Sequence, residues 1–247
     1  MVLSIRKQKD SNSRFFKKEQ ILMENRYFTG DEMYQIDQFT INEIGIPSPV
    51  LMERAAFSVF LHIIQKLKTE DKILIIAGTG NNGGDAVALA RMLFLLDYQV
   101  ELYIISKENH SKEMKRQIKI AQNINLPITF DFIEQGFNEA TYIIEGIFGI
   151  GISREIEGIY QTVIQKINES RNHQKSIISL DIPSGLSAYT GEPFSTVIQA
   201  DITYTFGFKK HGMQTNIGKQ LCGEIILCDI GYPEKILARH FGFHLNK

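Results

Sequence analysis

Short apolar runs rich in isoleucine, valine and leucine alternate in this chain with segments of helical periodicity, and this alternation restricts the fold more than any other feature. The runs that predict β-strands are residues 72–77, 99–105, 140–145, 176–181, 200–206 and 223–229, with 127–133 as a weaker candidate. The segments with helical spacing between them are 84–96, 110–123 and 154–169. Nearly continuous apolar strands separated by helices indicate a parallel sheet covered on both faces. We therefore predict an α/β protein with three αβα layers and a mostly parallel central sheet.

The sequence predicts one domain over residues 23–247. Two segments of helical periodicity precede the first strand, and the second of them, residues 50–68, is strongly apolar. No linker rich in proline, glycine or serine divides the chain that follows, and it contains no internal repeat. Residues 1–22 are polar, basic and unpatterned, which is typical of a disordered tail. An alternative is that this tail is not native and that Met23 is the true start.

Charge and apolar content exclude several classes of protein. Apolar residues make up 43% of the chain, enough for a full core, and the net charge of -1 gives no reason to expect a nucleic-acid partner or an anionic membrane surface. No apolar run approaches the roughly 20 residues that span a bilayer. Cys222 and Cys228 fall in one strand-like run, too far apart to form a disulfide. We therefore expect reduced, half-buried thiols and a cytoplasmic protein.

A glycine-rich loop follows the first predicted strand, and ligands of parallel sheets bind beyond the carboxyl ends of strands. Residues 78–85 read GTGNNGGD, in which Gly78, Gly80 and Gly83 fit the dinucleotide-binding fingerprint. However, the second strand lacks the terminal acid that binds a ribose, and no Walker-type Gly-Lys-Ser/Thr is present. Asp85 would repel a pyrophosphate at the start of the helix. The loop favours a polar neutral group or a hard monovalent ion, although a tight turn that merely needs glycines is the alternative.

Acidic residues end two further buried strands. Glu145 and Asp181 occupy these positions, where a carboxylate is costly unless it is paired or functional. A helix cap and an Asx turn are the structural alternatives for the two acids. Ser184 lacks the context of a nucleophile elbow, so we interpret it as an oxygen ligand. In a fourth loop, Lys209 and Lys210 could reach ligand phosphates or simply be solvated.

These loops resemble the NAD(P)H-hydrate epimerase family, also called the YjeF N-terminal domain, which has a Rossmann-like αβα fold. The similar segments are GTGNNGGDAVALAR, EGIFGIGISREIEGIY, LDIPSGLSAYTGE, ADITYTFGFKKHG and CGEIILCDIGYP. The likeness runs in order from about Thr29 to Pro233. It implies an isomerase that interconverts the R and S epimers of hydrated NADH or NADPH (NADHX and NADPHX) in nicotinamide cofactor repair. NADHX or NADPHX would then be the substrate rather than a cofactor.

Carried over by position, the resemblance implies a substrate site and an ion site. The substrate-binding residues would be Asn81, Asn82, Gly83, Gly84, Asp85, Gly149, Ile150, Gly151, Ile152, Ser153, Arg154, Glu155 and Asp181. Asn82, Glu145 and Ser184 would bind a potassium ion. The hydroxyl of the substrate must leave and return at a carbon beside a ring nitrogen, and a carboxylic acid could protonate it and then deprotonate the returning water. Asp181 is our candidate catalytic residue for this role.

One departure from the family and two rival functions bear on this assignment. The family usually has Asp-Ala where this chain has Glu145-Gly146, so the carboxylate at the potassium site lies one methylene further out, while Gly146 restores some space. The resemblance also implies a homodimer and, because the chain stops at Lys247, a separate ATP- or ADP-dependent NAD(P)H-hydrate dehydratase as pathway partner. The rivals are a non-catalytic nucleotide-binding or protein-interaction scaffold of the same fold and an NAD-dependent dehydrogenase. The retained acids Asp85, Glu145 and Asp181 favour the epimerase over the scaffold.

Overall fold

Seven parallel strands form the central sheet of the protein. The computed structural model describes residues 26–132, 134–172 and 174–242, so the expected tail at 1–22 lies outside the described residues. The strands are β1 Tyr27–Phe28, β2 Lys72–Ala77, β3 Gln99–Ile104, β4 Ile128–Thr129, β5 Tyr142–Gly146, β6 Ser176–Leu180, β7 Ile202–Phe206, β8 Lys209–Lys210 and β9 Glu224–Cys228. The main sheet has the order β4-β3-β2-β5-β6-β7-β9, and each pairing in it is parallel. Strands β1 and β8 form a separate parallel pair.

Helices cover both faces of the main sheet. Their bounds are α1 Gly30–Asn42, α2 Ser48–Ile63, α3 Asn81–Phe94, α4 Lys112–Asn123, α5 Glu134–Glu139, α6 Gly158–Glu169, α7 Asn216–Cys222 and α8 Glu234–His240, with a 3-10 helix at His211–Gln214. Successive side chains of a strand point to opposite faces, so Ile73 and Ile75 pack under α2, α3 and α4. Leu74 and Ile76 pack under α5 and α6. The three-layer α/β fold is therefore confirmed, and its sheet is parallel throughout.

Glycine residues account for the two helix starts that sequence periodicity placed wrongly. Helix α3 begins at Asn81 rather than at residue 84, because Gly83 and Gly84 lie within its first turn. Helix α6 begins at Gly158 rather than at residue 154. Gly158 has φ +62°, a left-handed conformation that does not continue a helix toward its N-terminal side. Residues 147–157 consequently form a long loop after β5.

Two smaller expectations also change. The weak strand candidate at 127–133 is reduced to the two residues of β4. Cys222 ends helix α7 whereas Cys228 ends β9, so the expectation of one extended run containing both cysteines was wrong. Both thiols are free and fully buried rather than half-buried. Among the helices that the structure describes, none combines the length and the apolar character needed to cross a bilayer.

Candidate functional site

A cleft of about 1040 Å³ opens at the carboxyl ends of the central strands. Strand order reverses between β2 and β5, because the chain continues from β2 to β3 and β4 on one side of the sheet and places β5 on the other. Ligands of open parallel sheets bind at such a switch point. The loops after β2, β5 and β6 and the segment after β9 all contribute to the walls of the cleft. Helices α1 and α2 supply the opposite wall.

The first turn of α3 brings three of the predicted substrate-binding residues to the cleft. Asn81, Asn82 and Asp85 line it, whereas Gly83 and Gly84 do not. A Cβ atom at Gly83 would lie 2.1 Å from the backbone oxygen of Gly78, and one at Gly84 would lie 2.6 Å from the terminal methyl of a methionine on α2. These two glycines therefore permit close helix packing.

The loop after β5 forms a second wall of the cleft. Its predicted substrate-binding residues all line the cleft, namely Gly149, Ile150, Gly151, Ile152, Ser153, Arg154 and Glu155. Arg154 is exposed at the rim. The carboxylate of Glu155 accepts a hydrogen bond from the backbone N–H of Ser195, which ties the loop to the segment after β6. The loop thus offers the cleft mainly backbone and small apolar side chains, with one cation at its edge.

Asp181 directly follows β6 and lines the cleft as part of a buried ion pair. Its backbone has φ +66°, a left-handed conformation that aspartate tolerates better than most residues. Its Oδ1 accepts a hydrogen bond from the ammonium of Lys210, the last residue of β8. Lys210 is almost fully buried, so the alternative that it is solvated was wrong. The ammonium of Lys210 thus faces the carboxyl group of Asp181 within the wall of the cleft.

Glu145 lies beneath the cleft, fully buried at the end of β5. Its Oε1 accepts hydrogen bonds from Ser179 Oγ at 2.6 Å and the backbone N–H of Ser184 at 3.1 Å. Its Oε2 accepts from Ser184 Oγ at 2.5 Å and the backbone N–H of Ile147 at 3.1 Å. Burial raises the pKa of Glu145, and the four hydrogen bonds act in the opposite direction. The structural alternative of a helix cap does not apply, because the partners are strand and loop groups.

The carbonyl group of Phe148 connects the three residues predicted to bind potassium. Asn82 Nδ2 donates to this oxygen at 2.9 Å, and Ser184 Oγ lies 3.2 Å from it. Ser184 in turn hydrogen-bonds Glu145. Asn82 Oδ1 is buried and has no hydrogen-bond partner among the described residues. The structure thus brings Asn82, Glu145 and Ser184 together under one wall of the cleft and leaves one amide oxygen available to a ligand.

Two residues of the cleft escaped the sequence analysis. Asp37 on α1 and Tyr232 after β9 both line it, and the Tyr232 hydroxyl donates a hydrogen bond to Asp37 Oδ1. Burial raises the pKa of Asp37, while the Tyr232 hydrogen bond lowers it. Burial also raises the pKa of Tyr232. The available signal was the position of Tyr232 just after the last strand, at the same sheet edge as the other loops.

Comparison with known proteins matches the fold and the cleft to one family. Residues 48–212, more than half of the chain, match the family described as "YjeF-related protein N-terminus". An NAD(P)H-hydrate epimerase of Limosilactobacillus reuteri is 40% identical over 209 residues, which is 84% of this chain and 96% of that protein. An NAD(P)H-hydrate epimerase of Oenococcus oeni is 35% identical over 210 residues, covering 84% and 98%.

A solved structure agrees with the fold. The crystal structure of yeast ynu0 matches with a TM-score of 0.75 and 21% identity, covering 90% of this chain and 96% of that one. At this identity the likeness bears on architecture alone. The family match and the bacterial relatives together establish that this chain belongs to the family of the YjeF-related protein N-terminus.

Proposed function

We propose that this protein is an NAD(P)H-hydrate epimerase, an isomerase that interconverts the R and S epimers of NADHX or NADPHX. The relatives that carry this name align over nearly their whole length with this chain. The observation that carries the proposal in the molecule itself is the Asp181–Lys210 ion pair, whose carboxylate lines a cleft large enough for a nucleotide. A purely structural ion pair has no need to face a cleft of this size.

The reaction requires water to leave one face of the nicotinamide-derived ring and to return to the other. When the C–O bond breaks, its electron pair leaves with oxygen, and the lone pair of the adjacent ring nitrogen forms a C=N⁺ bond. Water then adds to the opposite face and loses a proton. We assign this proton to the Asp181 carboxylate, because its carboxyl group lines the cleft beside the Lys210 ammonium. Its negative charge would also stabilise the cationic ring.

A potassium ion fits the oxygen atoms beneath the cleft. Asn82 Oδ1 is buried without a hydrogen-bond partner among the described residues. Asn82 Nδ2 donates to the Phe148 carbonyl oxygen, which lies 3.2 Å from Ser184 Oγ. Neutral oxygen ligands with one carboxylate suit a hard cation. Glu145 would act chiefly through its charge and through Ser184, since both of its oxygens already accept two hydrogen bonds. Bound there, the cation would offset the acids of the cleft and order the wall that contacts the substrate.

Three further features belong to the proposal. The reaction that consumes the product would be the dehydration of one epimer. An ATP- or ADP-dependent dehydratase would catalyse it as the pathway partner. We place the enzyme in the cytoplasm, where the two free thiols stay reduced. A homodimer could use the face of α2 on which Phe57 and Leu61 are about half exposed. Size measurement in solution tests the last of these directly.

A coupled assay tests the proposed activity. Purified protein is added, with a dehydratase specific for one epimer, to a mixture of hydrated NADH epimers. We expect the epimer that the dehydratase cannot use to disappear faster than its uncatalysed decay. If it persists at the uncatalysed rate while the dehydratase remains active, the chain is a non-catalytic member of the fold.

Asp181→Asn separates the role of the Asp181 carboxylate as a base from its role in the fold. Asparagine tolerates the left-handed backbone at this position, so the fold should survive. We expect kcat to fall about 10²–10⁴-fold, the usual contribution of a general base. Activity near that of the unchanged protein would reject the assignment of Asp181 as the base.

Exchange of sodium for potassium tests the ion. We expect a lower rate in sodium for the unchanged protein and no difference between the two salts for Asn82→Ala. An equal rate in both salts for the unchanged protein would contradict an occupied, functional potassium site.

A further inference from the structure

Lys210 cannot supply the proton that the departing hydroxyl needs. An ammonium group has three N–H donors. The described structure gives all three a partner: Asp181 Oδ1, Thr205 Oγ1 at 2.9 Å and the Phe206 carbonyl oxygen at 3.0 Å. Lys210 is also only 1% exposed. The proton donor for the leaving group must therefore be another group on the cleft wall.

Asp85 has the geometry of such a donor. It lies in the first turns of α3, lines the cleft and is only 9% exposed. Burial and nearby charges shift the pKa of Asp85, and none of the described residues donates a hydrogen bond to its carboxyl group. A buried carboxylate that lacks a hydrogen bond is costly, whereas a protonated carboxyl has a proton to donate. The carboxyl of Asp85 faces a cleft in which a substrate oxygen could accept that proton.

The acidic groups around Asp85 raise its pKa, as burial does, and Lys210 opposes them. The titratable groups that face it come from α1, α2, β8 and the segments after β6 and β9, and they are Asp37, Glu53, Asp181, Lys210 and Tyr232. Among the described residues, no charged group of helix α4 contributes to the pKa of Asp85. Burial raises the pKa of Asp85 well above its ordinary value, Asp181 and Asp37 raise it further, and Lys210 lowers it. Asp37, Asp85 and Asp181 thus share one buried cation, the ammonium of Lys210.

Asp85 and Asp181 line the same cleft from segments that follow different strands. Asp85 follows β2 and Asp181 follows β6, and β5 separates these strands. Neighbouring strands lie about 4.8 Å apart, so the segments that follow β2 and β6 leave room between them for a flat ring, which needs about 7–8 Å between the atoms that contact its two faces.

We propose that Asp85 is a second catalytic residue, the acid that protonates the departing hydroxyl, while Asp181 acts as the base on the opposite face. This inference rests on the proposed epimerase function. The proton of Asp85 moves to the hydroxyl oxygen, the C–O bond breaks with its electron pair on oxygen, and water departs. A second water adds to the other face and gives its proton to Asp181. Before the next turnover in the same direction Asp85 regains a proton from solvent and Asp181 releases one to it, and loss and addition of water change no oxidation state.

The test is Asp85→Asn, assayed with the coupled epimer assay across a range of pH. Asparagine has nearly the same shape and cannot donate a proton to a leaving group. We expect kcat to fall about 10²–10⁴-fold with KM close to that of the unchanged protein. In the unchanged protein the rate falls as pH rises through the pKa of Asp85, and the residual rate of the variant lacks this decline. Asp97→Asn, the same change at an exposed residue in the turn after α3, is the control and should leave kcat unchanged.

Infrared spectroscopy tests whether Asp85 is protonated and does not require an activity assay. The infrared difference between the unchanged protein and Asp85→Asn at neutral pH should contain the carbonyl stretch of a protonated carboxyl. Absence of that band, or a variant kcat within tenfold of the unchanged protein, overturns the role of Asp85 and leaves the epimerase proposal standing. If the unchanged protein itself does not epimerise the substrate, the proposed function fails and the catalytic role of Asp85 fails with it, whatever the band shows.

Discussion

Replacing Glu145 by glutamine tests the most densely hydrogen-bonded group beneath the cleft. A carboxylate accepts on both oxygens, and Glu145 accepts two hydrogen bonds on each. Glutamine keeps the shape but turns one acceptor into an N–H₂ donor. With that nitrogen at the Oε2 position it faces the backbone N–H of Ile147, and with the amide flipped it faces the backbone N–H of Ser184. Either orientation leaves one buried backbone donor without a partner.

The expected loss of stability follows from the one buried backbone donor that is left without a partner. A buried donor left unsatisfied costs about 1–3 kcal/mol. The hydroxyls of Ser179 and Ser184 can rotate to avoid the new amide hydrogens, so they add little to the cost. We expect Glu145→Gln to lower the free energy of unfolding by about 1–3 kcal/mol, which corresponds to a melting temperature lower by roughly 2–12 °C for a domain of this size.

Urea unfolding followed by circular dichroism measures the effect. The midpoint should fall while the m-value stays the same, because the surface exposed on unfolding does not change. Glu169→Gln, at the exposed end of α6, is the matched control and should change stability by less than about 0.5 kcal/mol. Equal or higher stability for Glu145→Gln would show that Glu145 is protonated in the folded protein and would refute the account of four donors around a carboxylate.

Three further predictions concern stability. Gly146→Ala should lower the free energy of unfolding by about 1–3 kcal/mol, because a Cβ atom there would lie 2.6 Å from the nearest backbone oxygen, whereas Gly151→Ala has open space and should leave urea unfolding unchanged. Lys210→Met should cost about 3–5 kcal/mol in urea unfolding by leaving Asp181 buried without its cation, and a loss below 1 kcal/mol would contradict the pairing. Because the pKa of Asp85 is raised in the folded state, its contribution to stability is fully present below the unfolded value of about 3.9 and is lost as pH rises toward the folded value. Asp85→Asn should therefore gain stability relative to the unchanged protein as pH rises above about 4, and a constant difference between pH 4 and 8 would refute this.

The sheet could be predicted from sequence because its strands are buried on both faces. The run 72–77 has nothing polar after its first residue, and the structure places it as β2 near the middle of the sheet. Residues 78–85 were harder, because glycines signal a turn whether or not a helix has begun. Only the packing of Gly83 against Gly78 shows that the helix already starts at Asn81.

Side-chain partners distant in sequence could not be predicted. Two adjacent lysines in a loop suggest solvent exposure. The sequence did not predict that Lys210 is buried, because its partner Asp181 lies 29 residues earlier. Tyr232 and Asp37 lie 195 residues apart and meet only in the folded cleft. The resemblance to a family supplied the candidate site residues, whereas their pairing and burial required the structure.

The pairing of β1 with β8 has a consequence for folding during synthesis. Tyr27 pairs with Lys209 and Phe28 with Lys210, so one of the first segments to leave the ribosome completes its contacts only after most of the chain has followed. Strand β9, at one edge of the sheet, is made later still. Contacts of such long sequence separation form slowly because the intervening chain must first be ordered. A nascent chain that already contains Asp181 but not yet β8 therefore lacks the cation for Asp181, and the cleft is among the last parts of the molecule to mature.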